Sequence, residues 1–145
     1  MHTSTGTDSR LAALGNQLVE IHLSLREDLA RLRDELDSRP ANDGARTRDL
    51  RTHCLMFCSS VRRHHTDEDA GTFPALAKQF PGLHPVLDEL VRDHEQVAAM
   101  LERLEELLAE TRTPAARAEM DGLAALLESH FVYEEKKLVA ALNSL

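Results

Sequence analysis

The sequence predicts an all-α protein, an antiparallel up-down-up-down four-helix bundle, and three observations predict it. Leu and Ala dominate the apolar residues while β-branched and aromatic residues are scarce, with no Trp and one Tyr. That balance favours helix over sheet. Apolar residues recur every three to four positions along four stretches. Breaker-rich segments separate these stretches, and connections this short lay consecutive helices side by side in opposite directions.

Residues 1–8 are polar and read as a disordered start, which leaves 9–145 as one domain long enough to bury a core. From Ser9, a first seam runs Leu11, Leu14, Leu18, His22, Leu25, Leu29, Leu32 and Leu36. The stretch from Ser38 to Gly44, which holds Pro40 and Asn42, is a turn. A second seam follows Leu50, His53, Phe57, Val61, His64 and Glu68 and stops near Gly71. Thr72 to Gly82 carries two prolines and reads as a connector with at most a helical turn. Pro85 suits the first turn of the next helix, whose seam is Leu87, Leu90, His94, Val97, Leu101, Leu104 and Leu108. Thr113 before Pro114 reads as an N-cap and first helical residue. The last seam is Met120, Leu123, Leu127, His130, Glu134 and Leu138, continuing toward Leu142.

Charge and composition exclude several classes. A net charge of −8 leaves no basic stripe for nucleic acid or an anionic membrane. No apolar run approaches the roughly 20 residues that span a bilayer, and Met1 to Arg10 lacks the apolar run of a signal peptide. Cys54 and Cys58, one helical turn apart, have β-carbons about 5–6 Å apart, too far for a disulfide. A reduced, cytoplasmic protein is the expectation.

The seams contain residues that do not belong in an apolar core. His22, His64, Glu68, His94, His130 and Glu134 occupy core positions, and every helix contributes at least one. A buried, unpaired carboxylate costs several kcal/mol and protonates instead. Four imidazoles and two carboxylates facing one another need a cationic partner, and two divalent metals bridged by carboxylates supply it. The spacing of His64 with Glu68, and of His130 with Glu134, puts each pair on one helix face. In an up-down-up-down bundle all six fall in one layer. Hydrogen-bonded core histidines with glutamates at the helix borders are the competing explanation.

These residues resemble the hemerythrin-like, or HHE cation-binding, family over nearly the whole chain. The specific stretches are His64 to Asp69 with Phe73 to Leu76, Asp93-His94-Glu95, and His130 to Glu135. The resemblance implies two iron ions, oxo- or hydroxo-bridged when oxidised, with His22, His64, His94 and His130 as terminal ligands and Glu68 and Glu134 as bridges. It also implies a small ligand such as O2, peroxide or NO, while the redox partner stays unknown. Two departures bear on function. Ala98 stands where an oxygen carrier has a second third-helix histidine, and the last-helix carboxylate follows its histidine by four residues rather than five. An oxygen carrier's extra imidazole is thus missing, which leaves positions open and favours reactivity over reversible carriage.

Other residues carry alternatives. Some relatives place a carboxylate ligand at the position of His65, so His65 is a possible additional metal ligand. Tyr133 either packs against a neighbour or hydrogen-bonds a bridging carboxylate or a bound oxygen species. His53, roughly 16 Å along the axis from His64, reads as a satisfied core histidine or a channel-lining group, and His84 as part of the connector. Three functions remain open: a di-iron protein that binds or reacts with O2, peroxide or NO; a peroxide- or O2-dependent di-iron enzyme; and an iron or redox sensor.

Overall fold

The structure, a computed structural model, describes residues 14–38 and 44–145. The expected disordered start, the beginning of the first helix at Ser9 to Leu11 and the core of the Ser38–Gly44 turn lie outside the described residues. Four long helices form the body: α1 (Leu14–Ser38), α2 (Gly44–Asp67), α4 (His84–Ala109) and α5 (Thr113–Asn143). A short helix α3 (Phe73–Gln79) lies between α2 and α4, and no strand occurs among the described residues.

The order of contacts orients the helices. Gly15, Arg26 and Arg33 of α1 meet Asn143, Glu128 and Asp121 of α5, with the numbers falling as the others rise. The same inversion relates Arg62 and His65 of α2 to Glu105 and His94 of α4.

Two apolar clusters flank a polar layer. The larger takes in Leu29, Leu32, Leu50, Phe57, Leu101, Leu104, Leu123 and Leu127. The smaller joins Leu18, Phe73, Leu76, Leu90 and Leu138 at the other end. Each fully buried leucine contributes about 1.5–3 kcal/mol relative to exposure. Cys54 and Cys58 are free and buried within the larger cluster, their sulfurs 3.9 Å apart.

The connector departs from expectation. A five-residue π-helical turn, Glu68–Thr72, carries α2 into α3 without a break, and the amide of Phe73 donates to the Glu68 carbonyl. Wide turns of this kind re-aim the side chains on either side. A 3-10 turn, Pro81–Leu83, then leads into α4, which starts at His84 with Pro85 in its first turn. Arg112, not Thr113, occupies the N-cap of α5, and Pro114 lies in its first turn.

Gly15 marks the tightest helix crossing. A Cβ there would come 2.4 Å from the Val139 carbonyl oxygen and 2.9 Å from its Cα, both backbone atoms that cannot swing aside. The Gly15 amide also donates to the Asn143 side chain at 2.8 Å. Gly15→Val is expected to push α1 off α5 and cost about 1–3 kcal/mol; chemical denaturation measures it, and an unchanged midpoint would contradict so close a crossing.

Candidate metal centre

The polar layer is built from all four long helices. His22 from α1, His65 from α2, His94 from α4 and His130 and Glu134 from α5 are buried, as is Glu68 at the head of the π turn. His64 lies at the edge, its side chain 10% exposed. The imidazoles form a chain of contacts: His22 to His64 at 5.3 Å between centroids, His64 to His65 at 5.6 Å, His65 stacked on His94 at 3.7 Å, and His94 to His130 at 4.9 Å.

Their ligand atoms fall into two groups, His65, Glu68, His94 and His130 in one and His22, His64 and Glu134 in the other, each with its atoms within 4.8 Å of one another. The two glutamates tie the groups together. Glu68 lies 3.6 Å from His64 Nε2 and 3.3 Å from His94 Nε2. Glu134 Oε1 lies 3.0 Å from His22 Nε2 and 3.7 Å from His130 Nε2. Each carboxylate therefore faces one histidine of either group.

Three outer carboxylates fix the rings. His22 Nδ1 donates to Glu135 at 2.8 Å, His94 Nδ1 to Asp69 at 2.8 Å and His130 Nδ1 to Asp93 at 3.0 Å. A neutral imidazole has one N–H, so each of these rings turns a bare Nε2 lone pair inward. Carboxylates behind histidines in this way orient metal ligands and raise their basicity.

The chemistry of this donor set fits cations. The buried atoms His65 Nε2, Glu68 Oε1, His94 Nε2, His130 Nε2 and both Glu134 oxygens have no hydrogen-bond partner among the described residues. Lone pairs aimed at lone pairs cost several kcal/mol unless a cation binds them. Burial, together with the neighbouring Glu134 carboxyl, pushes Glu68 up to about 12, so one of the two carboxyls keeps a proton when no cation is bound. Burial likewise lowers His64 to about 4 and His65 to about 2, with adjacent imidazoles adding to both.

These shifts predict acid sensitivity of the metal-free protein. Unfolded, His64 and His65 titrate near 6.5; folded, they resist protonation far below that. The stability they contribute is complete above pH 6.5 and is lost as pH falls toward the folded values. His94 is lowered in the same sense by burial, whereas Glu68 alone works in the opposite sense. Thermal midpoints are therefore expected to drop between about pH 7 and about pH 5, and a midpoint that holds or rises would contradict the assignment.

Apolar walls complete the layer. Phe131 stacks on His22 at 4.1 Å, with the Arg26 guanidinium 5.3 Å above the Phe131 ring, and Phe73 stacks against His94 at 5.5 Å. The π turn is what delivers both Glu68 and Phe73 to this level.

The structure brings all six core ionisable residues of the sequence analysis together and adds His65 as a full member of the cluster. His65 stands beside His94 and faces α4. Asp69, one turn from His65 in the chain, bonds His94. Tyr133 packs on the smaller apolar cluster, with Lys137 5.9 Å from its ring. His53 is not in the core: its side chain is 54% exposed and bonded to Glu35. Cys54 takes the core position there, because the buried row steps by four from Leu50 rather than by three. His84 is exposed at the start of α4. The outer carboxylates Asp69, Asp93 and Glu135 were not assigned from sequence, although each adjoins a ligand candidate in the chain.

Fold and site define a helical domain with a buried histidine–carboxylate cluster suited to cations. The model of the hemerythrin HHE cation-binding domain matches residues 14–142, and the chain belongs to that family. No curated protein and no solved structure matches the chain. No helix among the described residues is long and apolar enough to cross a membrane.

Proposed function

We propose that this protein is a non-heme di-iron protein whose centre binds or reacts with O2, peroxide or NO. The supporting observation is the pair of glutamates, each facing one histidine of either group. In this reading His65, His94 and His130 hold one ion and His22 and His64 the other, with Glu68 and Glu134 shared. The helices run up-down-up-down, the order that the inverted contacts support, and this sets four helices' ligands at one height.

Iron, when bound, supplies the electrons for the diatomic or peroxide ligand. The chain's residues do the rest. Glu135, Asp69 and Asp93 hold three imidazoles with Nε2 inward, and Phe131 and Phe73 keep water from two sides of the layer. The site works in a reducing cytoplasm, in keeping with two free, buried thiols. Its partners are small molecules; a chain of net charge −8 offers nucleic acid and anionic membranes little.

Metal content and absorption spectra, with and without azide, test the reading. Two irons per chain and charge-transfer bands that shift with azide are expected; one zinc, or no metal after gentle purification, would sink it. Hydrogen peroxide turnover compared between the wild type and Glu134→Ala then separates a binder from an enzyme. Turnover undiminished in that variant places any chemistry elsewhere.

A further inference from the structure

Between α2 and α4 lies a hollow of about 280 Å3 lined by Arg62, His65, Asp69, His94, Glu95 and Ala98, among others. Its inner wall is the stack of His65 on His94, each 5% exposed. Its rim is made of exposed residues: Asp69, Glu95 and Ala98. Ala98 has only a methyl group to set across the opening, so the stack lies directly behind it.

Apart from the edge at His64, whose side chain is 10% exposed, the other sides of the layer are closed. His22 and Glu134 are 0% exposed and His130 is 1% exposed. Arg26, paired with Glu128 and Glu135, covers the side of His22, and Phe73 lies over His94. The hollow thus leads from solvent to the stacked pair His65 and His94.

The charge at the rim selects what enters. Arg62 is paired with Glu105 and cancels it, while Asp69 and Glu95 leave the mouth negative. A mouth of this sign repels anions and concentrates cations. The Nε2 of His65, buried and without a hydrogen-bond partner, gives an arriving cation its first inner ligand atom.

We propose that this hollow is the loading port of the centre, through which a divalent cation passes from the Glu95 and Asp69 rim to His65 and then inward. The inference rests on the two-cation reading above and concerns how the ions arrive. Neither Glu95 nor Ala98 belongs to the centre, and both are exposed, so substitutions there leave the fold and the donor set intact.

The test mixes metal-free protein with Co2+ in a stopped-flow instrument, following cobalt absorption to equilibrium. Wild-type protein is expected to load two ions per chain. Ala98→Phe, which fills the mouth, and Glu95→Lys, which reverses its charge, are each expected to load on the order of tenfold more slowly at low salt and to reach the same final count. The Glu95→Lys defect shrinks as salt rises. A wild-type rate in either variant overturns the port, as does a lower final count in Ala98→Phe, which would make Ala98 part of the centre. Wild-type protein that takes up no Co2+ sinks the centre itself, a result distinct from misplacing its entrance.

Discussion

Ferrous iron added anaerobically to the metal-free protein is expected to raise its thermal midpoint by on the order of 10 °C or more. The size follows from what the cation relieves. Without it, four buried imidazoles and two buried carboxyls face one another with no partner for six of their atoms, and the carboxyl pair holds a proton against its ordinary tendency. A ligand present at a thousandfold excess over its dissociation constant adds about 4 kcal/mol to a single site, and two sites share these ligands. A chelator should reverse the gain. Differential scanning calorimetry of the two forms decides it: a difference of a degree or less would mean that the cluster is satisfied without cations.

Replacing Glu134 with leucine is expected to act in opposite senses on stability and on function. Glu134 is fully buried and its two oxygens lack partners. An apolar side chain of similar volume removes the cost of burying one of two adjoining carboxyls. The metal-free variant should therefore unfold at the same or higher denaturant concentration than the wild type. Because Glu134 faces both His22 and His130, the variant loses an anchor common to both ions, and its capacity should fall from two ions to one or none. Asp93→Asn provides the contrast. It keeps every inner ligand, so capacity stays while affinity drops about 10- to 100-fold. Equilibrium dialysis with unfolding curves tests the pair; a less stable metal-free Glu134→Leu that still holds two ions would contradict the assignment.

The sequence made most of this centre legible, for a definite physical reason. A histidine or glutamate at a position that the helical period assigns to the core has few tolerable explanations, and six of them on four seams have fewer. His65 was harder to place because a single apolar seam was assigned to α2. A helix in a bundle faces two neighbours at once, and here adjacent residues divide the work: His64 meets His22 of α1 and His65 stacks on His94 of α4. The buried row of α2 in fact runs Leu50, Cys54, Phe57, Cys58, Val61 and His65, continuing to Glu68 at the head of the π turn, which moves His53 out to solvent and His65 in. The outer carboxylates were hidden by abundance, since Asp69, Asp93 and Glu135 look like any of the 25 acidic residues. Only their bonds to imidazole nitrogens set them apart. The π turn at Glu68–Thr72 has no sequence signal of its own; Gly71 and Pro74 argued for a break, whereas the chain widens by one residue per turn and continues.

The central claim is that two cations share Glu68 and Glu134 between two histidine groups. Anomalous diffraction at the iron edge from crystals of the iron-loaded protein tests it most directly. Two peaks roughly 3.5–4 Å apart are expected, one beside His65, His94 and His130 and the other beside His22 and His64. A single peak, or peaks away from the two glutamates, would contradict it.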